Sequence, residues 1–139
     1  SAIATLMLAL VKPGDVIVHS APLYAATETL IGRILGRFGV TFLDFPARAT
    51  EDEIATVIER AKAQGNVSLI YLESPANPTN ALVDIEAVAR VLASRCKVSR
   101  MLPGTAGVAV VGPDAVLVAA VLPGGVPATR PSPKMSLLR

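Results

Sequence analysis

The first two thirds of the chain switch repeatedly between two hydrophobic periods, that of a helix and that of a strand. The opening run Ala2-Ile3-Ala4-Thr5-Leu6-Met7-Leu8-Ala9-Leu10 is made of strong helix formers and carries no charge, which predicts a largely buried helix. Lys12-Pro13-Gly14-Asp15 stops it and turns the chain. Val16-Ile17-Val18 is a short β-branched run, the mark of a buried strand. A second helix is expected between Ala25 and Arg37, with Leu30, Ile34 and Leu35 on its inward side. Gly39 then releases the chain into a second strand, Val40-Thr41-Phe42-Leu43.

Thr50 followed by Glu53 is a capping-box pattern, and Ile54, Val57 and Ile58 form the inward face of a third helix ending at Gly65-Asn66. Val67-Ser68-Leu69-Ile70-Tyr71-Leu72 is the clearest strand in the sequence. After a loop from Glu73 to Asn80, Asp84 caps a fourth helix with Ile85, Val88, Val91 and Leu92 as its apolar stripe. Helical crossovers between short apolar strands predict an α/β fold whose sheet is mostly parallel and covered on both faces.

At about Cys96 the pattern changes, which divides the chain into 1–95 and 96–139. From Met101 to Thr129 the only charged residue is Asp114, and Gly, Ala, Val and Pro dominate. Val108-Ala109-Val110-Val111 and Val116-Leu117-Val118 have strand character, but no surface-forming helix follows either. The end, Pro127 to Arg139, reads as an irregular tail.

Composition narrows the function. With 52% hydrophobic and 17% charged residues the 139-residue chain can build a core, and general disorder is excluded. The net charge of +2 is scattered, with no basic stripe interleaved with aromatics, so nucleic-acid binding has no support. A single Cys96 and a single His19 exclude an internal disulfide and a multi-cysteine zinc site, and no metal is expected. Cysteine poverty fits a reducing compartment, so a cytoplasmic location is expected. The apolar opening lacks a basic leader and is too short to span a bilayer, and the run from Thr105 to Val126 is broken by glycines and prolines; no membrane association is expected. The chain starts with Ser rather than Met, which leaves room for a preceding segment.

Two segments carry candidate chemistry, and both follow a strand, where open α/β sheets bind ligands. In Glu73-Ser74-Pro75-Ala76-Asn77-Pro78-Thr79-Asn80, two prolines restrict the backbone around Asn77. A carboxamide held there can donate to a phenolate-like oxygen, and the carboxylate of Glu73 can accept within a hydrogen-bond network. A Pro-rich loop with a turn-forming Asn accounts for the same residues. In Leu23-Tyr24-Ala25-Ala26-Thr27, small residues leave room beside an aromatic ring that can stack on a heteroaromatic one. Packing at the edge of the core is the alternative for Tyr24. His19, at a strand end without a nucleophile pattern nearby, reads as structural.

These phrases resemble the Cys/Met-metabolism, or trans-sulfuration, family, which includes cystathionine γ-synthase, cystathionine lyases and methionine γ-lyase. The similar phrases are Ala2-Ile3-Ala4-Thr5, Lys12-Pro13-Gly14-Asp15, Leu23-Tyr24-Ala25-Ala26-Thr27 and Glu73 to Asn80, with Asp84-Ile85 following. Together they cover the stretch from Ser1 to about Arg95. The resemblance implies the large domain of aspartate-aminotransferase-like, fold type I enzymes and the cofactor pyridoxal 5'-phosphate. It implies an amino-acid substrate, elimination or replacement at the β or γ carbon, and a homotetrameric parent. Tyr24 is similar to the tyrosine that stacks on the pyridine ring, Asn77 to the asparagine that hydrogen-bonds the ring hydroxyl oxygen, and Glu73 to a carboxylate near the site that helps order this loop.

Other family phrases do not appear. A Ser-Gly-Met phrase that holds the phosphate would precede residue 1. Neither Val-Asp-Asn-Thr, whose Asp pairs with the pyridine nitrogen, nor Ser-x-x-Lys, whose Lys forms the Schiff base, is recognisable after residue 95. Asp114 and Lys134 stand in other contexts, and Lys12, Lys62 and Lys97 read as solvated charges. No catalytic residue is therefore assigned, and the chain is expected to be a fragment, inactive alone. Resemblance and composition break together, which points to a shifted reading frame or a fused segment. Finding the two missing phrases in another frame of the encoding DNA would support a frameshift; their absence from every frame would remove it. As a fragment, the chain is expected to leave its three strands with unpaired edges.

Overall fold

The computed structural model describes residues 2–76 and 79–95, and three further strands at 100–101, 108–111 and 115–120. Helix α1 (Ala2–Leu10) leads into strand β1 (Asp15–Ala21). A helical segment follows: α2 (Ala25–Thr29), then a π-helical turn (Leu30–Ile34) and a 3-10 turn (Leu35–Phe38). Strand β2 (Thr41–Pro46), helix α3 (Glu51–Gln64), strand β3 (Asn66–Glu73) and helix α4 (Ile85–Arg95) complete the alternation. Strands β4 (Arg100–Met101), β5 (Val108–Val111) and β6 (Ala115–Ala120) then join the same sheet, in the order β2-β1-β3-β6-β5-β4. The first four in that order run parallel, and β5 and β4 are antiparallel additions.

Strand alternation builds two cores from two central strands. Successive side chains point to opposite faces. Val16, Val18, Ile70 and Leu72 therefore share one face with Ile54 and Ile58 of α3 and with Val88 and Leu92 of α4. Ile17, Leu69 and Tyr71 point to the other face and meet Met7 of α1 and Ile31 and Leu35 of the helical segment. Both faces of β1 and β3 are thus covered, as their unbroken apolar runs predict.

The caps read from the sequence are present. Thr50 Oγ1 accepts from the Glu53 amide at 3.3 Å while the Glu53 carboxylate accepts from the Thr50 amide at 2.7 Å. Those bonds from Thr50 hold the Glu53 carboxyl below its ordinary 4.5, so this capping contribution is present above that pH and fades as pH falls through the lowered value. Asp84 Oδ1 accepts from the Ala87 amide at 2.9 Å, capping α4. Gly39 ends the helical segment with φ 77°, a left-handed position that suits glycine.

Gly65 is demanded by space, since its φ of 167° is ordinary extended backbone. A Cβ there would lie 2.7 Å from the Gly14 carbonyl oxygen and 3.2 Å from Val16 Cγ2. Gly65→Ala is expected to lower stability by about 1–3 kcal/mol through overpacking against backbone, read as a lower urea midpoint. An unchanged midpoint would mean that the turn before β1 gives way freely.

Three expectations are corrected. Helix α1 is not largely buried: among its residues from Ile3 to Leu10 only Met7 is fully enclosed, and Leu8 is 60% exposed, because α1 packs on the sheet along one side. In the second helix Ile31, not Ile34, joins Leu35 in the core, and Ile34 is 46% exposed. The π and 3-10 turns shift the phase that a regular 3.6-residue period assumes. Nor do all three strands carry open edges: β1 lies between β2 and β3, and β6 pairs with the far side of β3. The strand character of 108–111 and 116–118 is borne out, although these residues sit in the low-charge region.

Candidate functional site

Strands β1 and β3 are parallel neighbours, with His19 opposite Tyr71, so their carboxyl ends emerge side by side. That register brings together the two segments singled out in the sequence. The Tyr24 corner follows β1, and the Glu73 loop follows β3.

Glu73 is the join. Its carboxylate is buried, with 3% of the residue exposed, and both of its oxygens are used. Oε2 accepts from the Tyr24 backbone amide at 2.6 Å, the short distance of a charge-assisted bond. Oε1 accepts from the Thr27 hydroxyl and from the Tyr71 phenol, each at 3.1 Å. The Glu73 amide donates to Ser20 Oγ at 3.2 Å, a further link from β3 to β1. Burial, followed by the adjacent Glu73 carboxylate, raises the Tyr71 phenol well above its ordinary 10. Tyr71 therefore remains a neutral donor to the carboxylate.

With its backbone held, Tyr24 presents its side chain outward and is 49% exposed, while Leu23 beside it is buried. The residue precedes α2 with φ −58° and ψ 135°, and its carbonyl accepts from the Thr27 and Glu28 amides at 2.8 and 3.0 Å. A cleft of about 340 Å³ opens beside it, lined by Ile3, Ala4, Tyr24, Ala26, Thr27 and Leu30. Its walls are an aromatic ring, small apolar groups and the first turn of α1.

The loop after β3 is closed on itself. The Ala76 amide donates to the Ala81 carbonyl at 2.9 Å, the Asn80 amide donates to the Ala76 carbonyl at 2.7 Å, and Ser74 Oγ accepts from the Val83 amide at 3.1 Å. Asn77 and Pro78 lie outside the described residues, as do Cys96, Lys97, Asp114 and Lys134. His19 lines a separate cleft with Glu28, Phe42 and Asp44, and its Nδ1 donates to the Ser20 carbonyl at 3.0 Å. Lys62 is an exposed helix residue paired with Glu59 at 3.2 Å.

The model of the family described as Cys/Met metabolism PLP-dependent enzyme matches residues 1–107. The chain belongs to that family. L-methionine gamma-lyase of Fusobacterium nucleatum subsp. nucleatum is 34% identical to this member over 92 residues, covering 65% of the chain and 21% of the relative. Cystathionine beta-lyase MetC of Bacillus subtilis is 34% identical over 93 residues, covering 66% and 22%. O-succinylhomoserine sulfhydrylase of Pseudomonas aeruginosa is 33% identical over 91 residues, covering 66% and 21%. The chain thus spans about a fifth of the length of the curated relatives it matches.

Among solved structures, metB from Corynebacterium glutamicum superposes on 67% of the chain and 23% of its own length, with a TM-score of 0.57 and 30% identity. A Campylobacter jejuni protein described as an O-acetylhomoserine (thiol)-lyase, whose structure carries a pyridoxyl-lysine monophosphate, covers 67% of the chain and 22% of its own length. Its TM-score is 0.56 at 29% identity. The α/β sheet is therefore that of the fold type I enzymes, and the family cofactor is pyridoxal phosphate. Among the described residues no helix is long and apolar enough to cross a membrane.

The described residues fit the ring of that cofactor. An aromatic face stands free beside an apolar cleft at the carboxyl edge of a parallel sheet, and its backbone is anchored by a buried carboxylate. The cleft lining holds no charged side chain, so the ring is better provided for than the phosphate. The sequence reading places Thr27 in the Tyr24 phrase without a role, and gives none to Tyr71 or Ser20. Tyr71 was within reach, because it lies two residues before Glu73 on the same face of β3. Thr27 and Ser20 required the pairing of β1 with β3.

Proposed function

We propose that this chain supplies part of the cofactor platform of a pyridoxal-phosphate enzyme of sulfur amino-acid metabolism. In that role Tyr24 stacks on the pyridine ring, Asn77 hydrogen-bonds the ring hydroxyl oxygen, and Glu73 orders the corner and loop that carry them. The observation behind the reading is the half-exposed Tyr24 ring whose amide is gripped by buried Glu73 at 2.6 Å. The first turn of α1, which borders the same cleft, offers the positive end of a helix dipole to an anionic group. Bound pyridoxal phosphate supplies an electron sink for chemistry at the carbon bearing the substrate amine. The chain's own residues orient the ring and enclose one of its faces.

The parent enzyme acts by elimination or replacement at the β or γ carbon of cysteine, cystathionine, methionine or an activated homoserine. It is a cytoplasmic homotetramer that binds small amino acids. The isolated chain is not competent for turnover: its one Ser-x-x-Lys spacing, Ser94-Arg95-Cys96-Lys97, has no Val-Asp-Asn-Thr phrase before it, so Lys97 does not stand in the family's Schiff-base context.

Incubation with pyridoxal phosphate, borohydride reduction and peptide mass spectrometry test this reading. The expected result is no single stoichiometric lysine adduct, only a low scatter over Lys12, Lys62, Lys97 and Lys134. One stoichiometric adduct, lost in Tyr24→Ala, would show that a working covalent site survives in this chain and would overturn its assignment as inactive.

A further inference from the structure

The platform reading leaves Thr27 without a task, although its hydroxyl is spent on the carboxylate that holds Tyr24. We propose that Thr27 is a positioning residue for the Tyr24 ring, acting through Glu73. The inference rests on the reading of Tyr24 as the ring-stacking residue.

Tyr24 has no side-chain capping bond of its own, so the direction of its ring is inherited from its backbone. That backbone is held at both polar atoms. Its carbonyl takes the Thr27 and Glu28 amides, and its amide is taken by Glu73 Oε2. The Glu73 backbone is fixed by strand pairing and by Ser20 Oγ, which leaves the torsions of the carboxylate arm to be set. Two donors on Oε1 set them. Tyr71 is on the same strand as Glu73 and ties the carboxylate to β3 alone, whereas Thr27 ties it across to the helix that begins at Tyr24. Thr27 is itself buried to 3% exposure and lines the cleft beside the ring. With Thr27 removed, Oε1 keeps only a donor from its own strand. The arm is then free to swing relative to the corner, and the Tyr24 amide loses a fixed acceptor.

The chain has two tyrosines and no tryptophan, and of the two it is the half-exposed Tyr24 that lines the cleft while Tyr71 is buried. The experiment compares the full 139-residue protein, with Tyr71 kept as the second donor to Glu73, with the same chain carrying Thr27→Val or Thr27→Ser. It measures amide hydrogen exchange at Tyr24 and at Ile17 and Val18, and quenching of tyrosine emission by pyridoxine 5'-phosphate, which cannot form a lysine adduct. Thr27→Val is expected to speed exchange at Tyr24 roughly tenfold while Ile17 and Val18 are unchanged, and to weaken pyridoxine phosphate binding roughly tenfold, the effect of losing one bond to a charged acceptor. Thr27→Ser restores both. Unchanged Tyr24 exchange in Thr27→Val, or an equal rise at all three amides, overturns the inference. If Thr27→Val does not fold, Thr27→Ala makes the same comparison without added bulk. Absence of quenching in every protein, the unsubstituted chain included, would instead remove the platform reading, and the exchange comparison would still decide whether Thr27 sets Tyr24.

Discussion

Glu73→Ala is expected to cost about 3–5 kcal/mol of folding stability, the range found when one member of a buried charged network is removed. The size follows from what is stranded. The Tyr24 amide and the Thr27 and Tyr71 hydroxyls lose their acceptor together, and a cavity replaces the carboxylate. Against the 5–15 kcal/mol typical of a whole domain, that loss brings the chain close to unfolding. Glu73→Gln separates charge from connectivity. Its amide oxygen can still accept from Tyr24 and its nitrogen can donate to a hydroxyl, and the cost of burying a charge disappears. A smaller loss of about 1–2 kcal/mol is therefore expected, set by weaker neutral hydrogen bonds. Urea melts followed by circular dichroism rank the three proteins. A Glu73→Ala midpoint equal to that of the parent would show that the network contributes nothing net.

The same residues show where sequence reasoning reaches and where it stops. Strand β3 is legible because Val67 to Leu72 is almost unbrokenly apolar and both of its faces are covered. Strand β1 runs beyond Val18 to Ala21 because His19 and Ser20, polar by type, are buried by position. No pattern of apolar residues marks that extension. The capping residues Thr50, Glu53 and Asp84 are legible because caps are local chemistry within three residues. The inward side of the second helix is not, since Leu30 to Phe38 leaves the α-helical period.

The candidate site divides in the same way. Its position at the carboxyl ends of strands follows from element order, and its individual residue types suggest stacking and acceptor roles. Its wiring depends on the parallel register of β1 and β3, which aligns Ser20 and the Tyr24 corner with Glu73 across 53 and 49 residues of sequence. The energetic content of that wiring lies in desolvation: a carboxylate with three donors and almost no contact with water is stronger, and costlier to disturb, than the same groups on a surface loop. The family phrase Glu73-Ser74-Pro75 thus has a physical reason to begin with Glu in this chain, independent of any resemblance.

Removing residues 96–139 is expected to turn the chain into an aggregating species. Strand β3 pairs with β6 over five positions, from Leu69 opposite Val116 to Glu73 opposite Ala120. Without β6, the edge of a strand whose residues from Val67 to Leu72 are buried on both faces loses its hydrogen-bonding partner, and such an edge recruits other chains. A proline in β6 asks the same question without shortening the protein. Because β6 lies between β3 and β5, every amide from Val116 to Val118 faces a paired strand, so Leu117→Pro removes a ladder bond wherever it points. Sedimentation velocity and light scattering at matched concentration are the measurement, with the 139-residue chain less associated than either variant. A monodisperse, cooperatively melting 1–95 protein would show that the β3 edge needs no partner and that 96–139 adds nothing to the fold. Association confined to the variants would instead make the low-charge region a structural strand donor to the sheet, whatever the origin of its sequence.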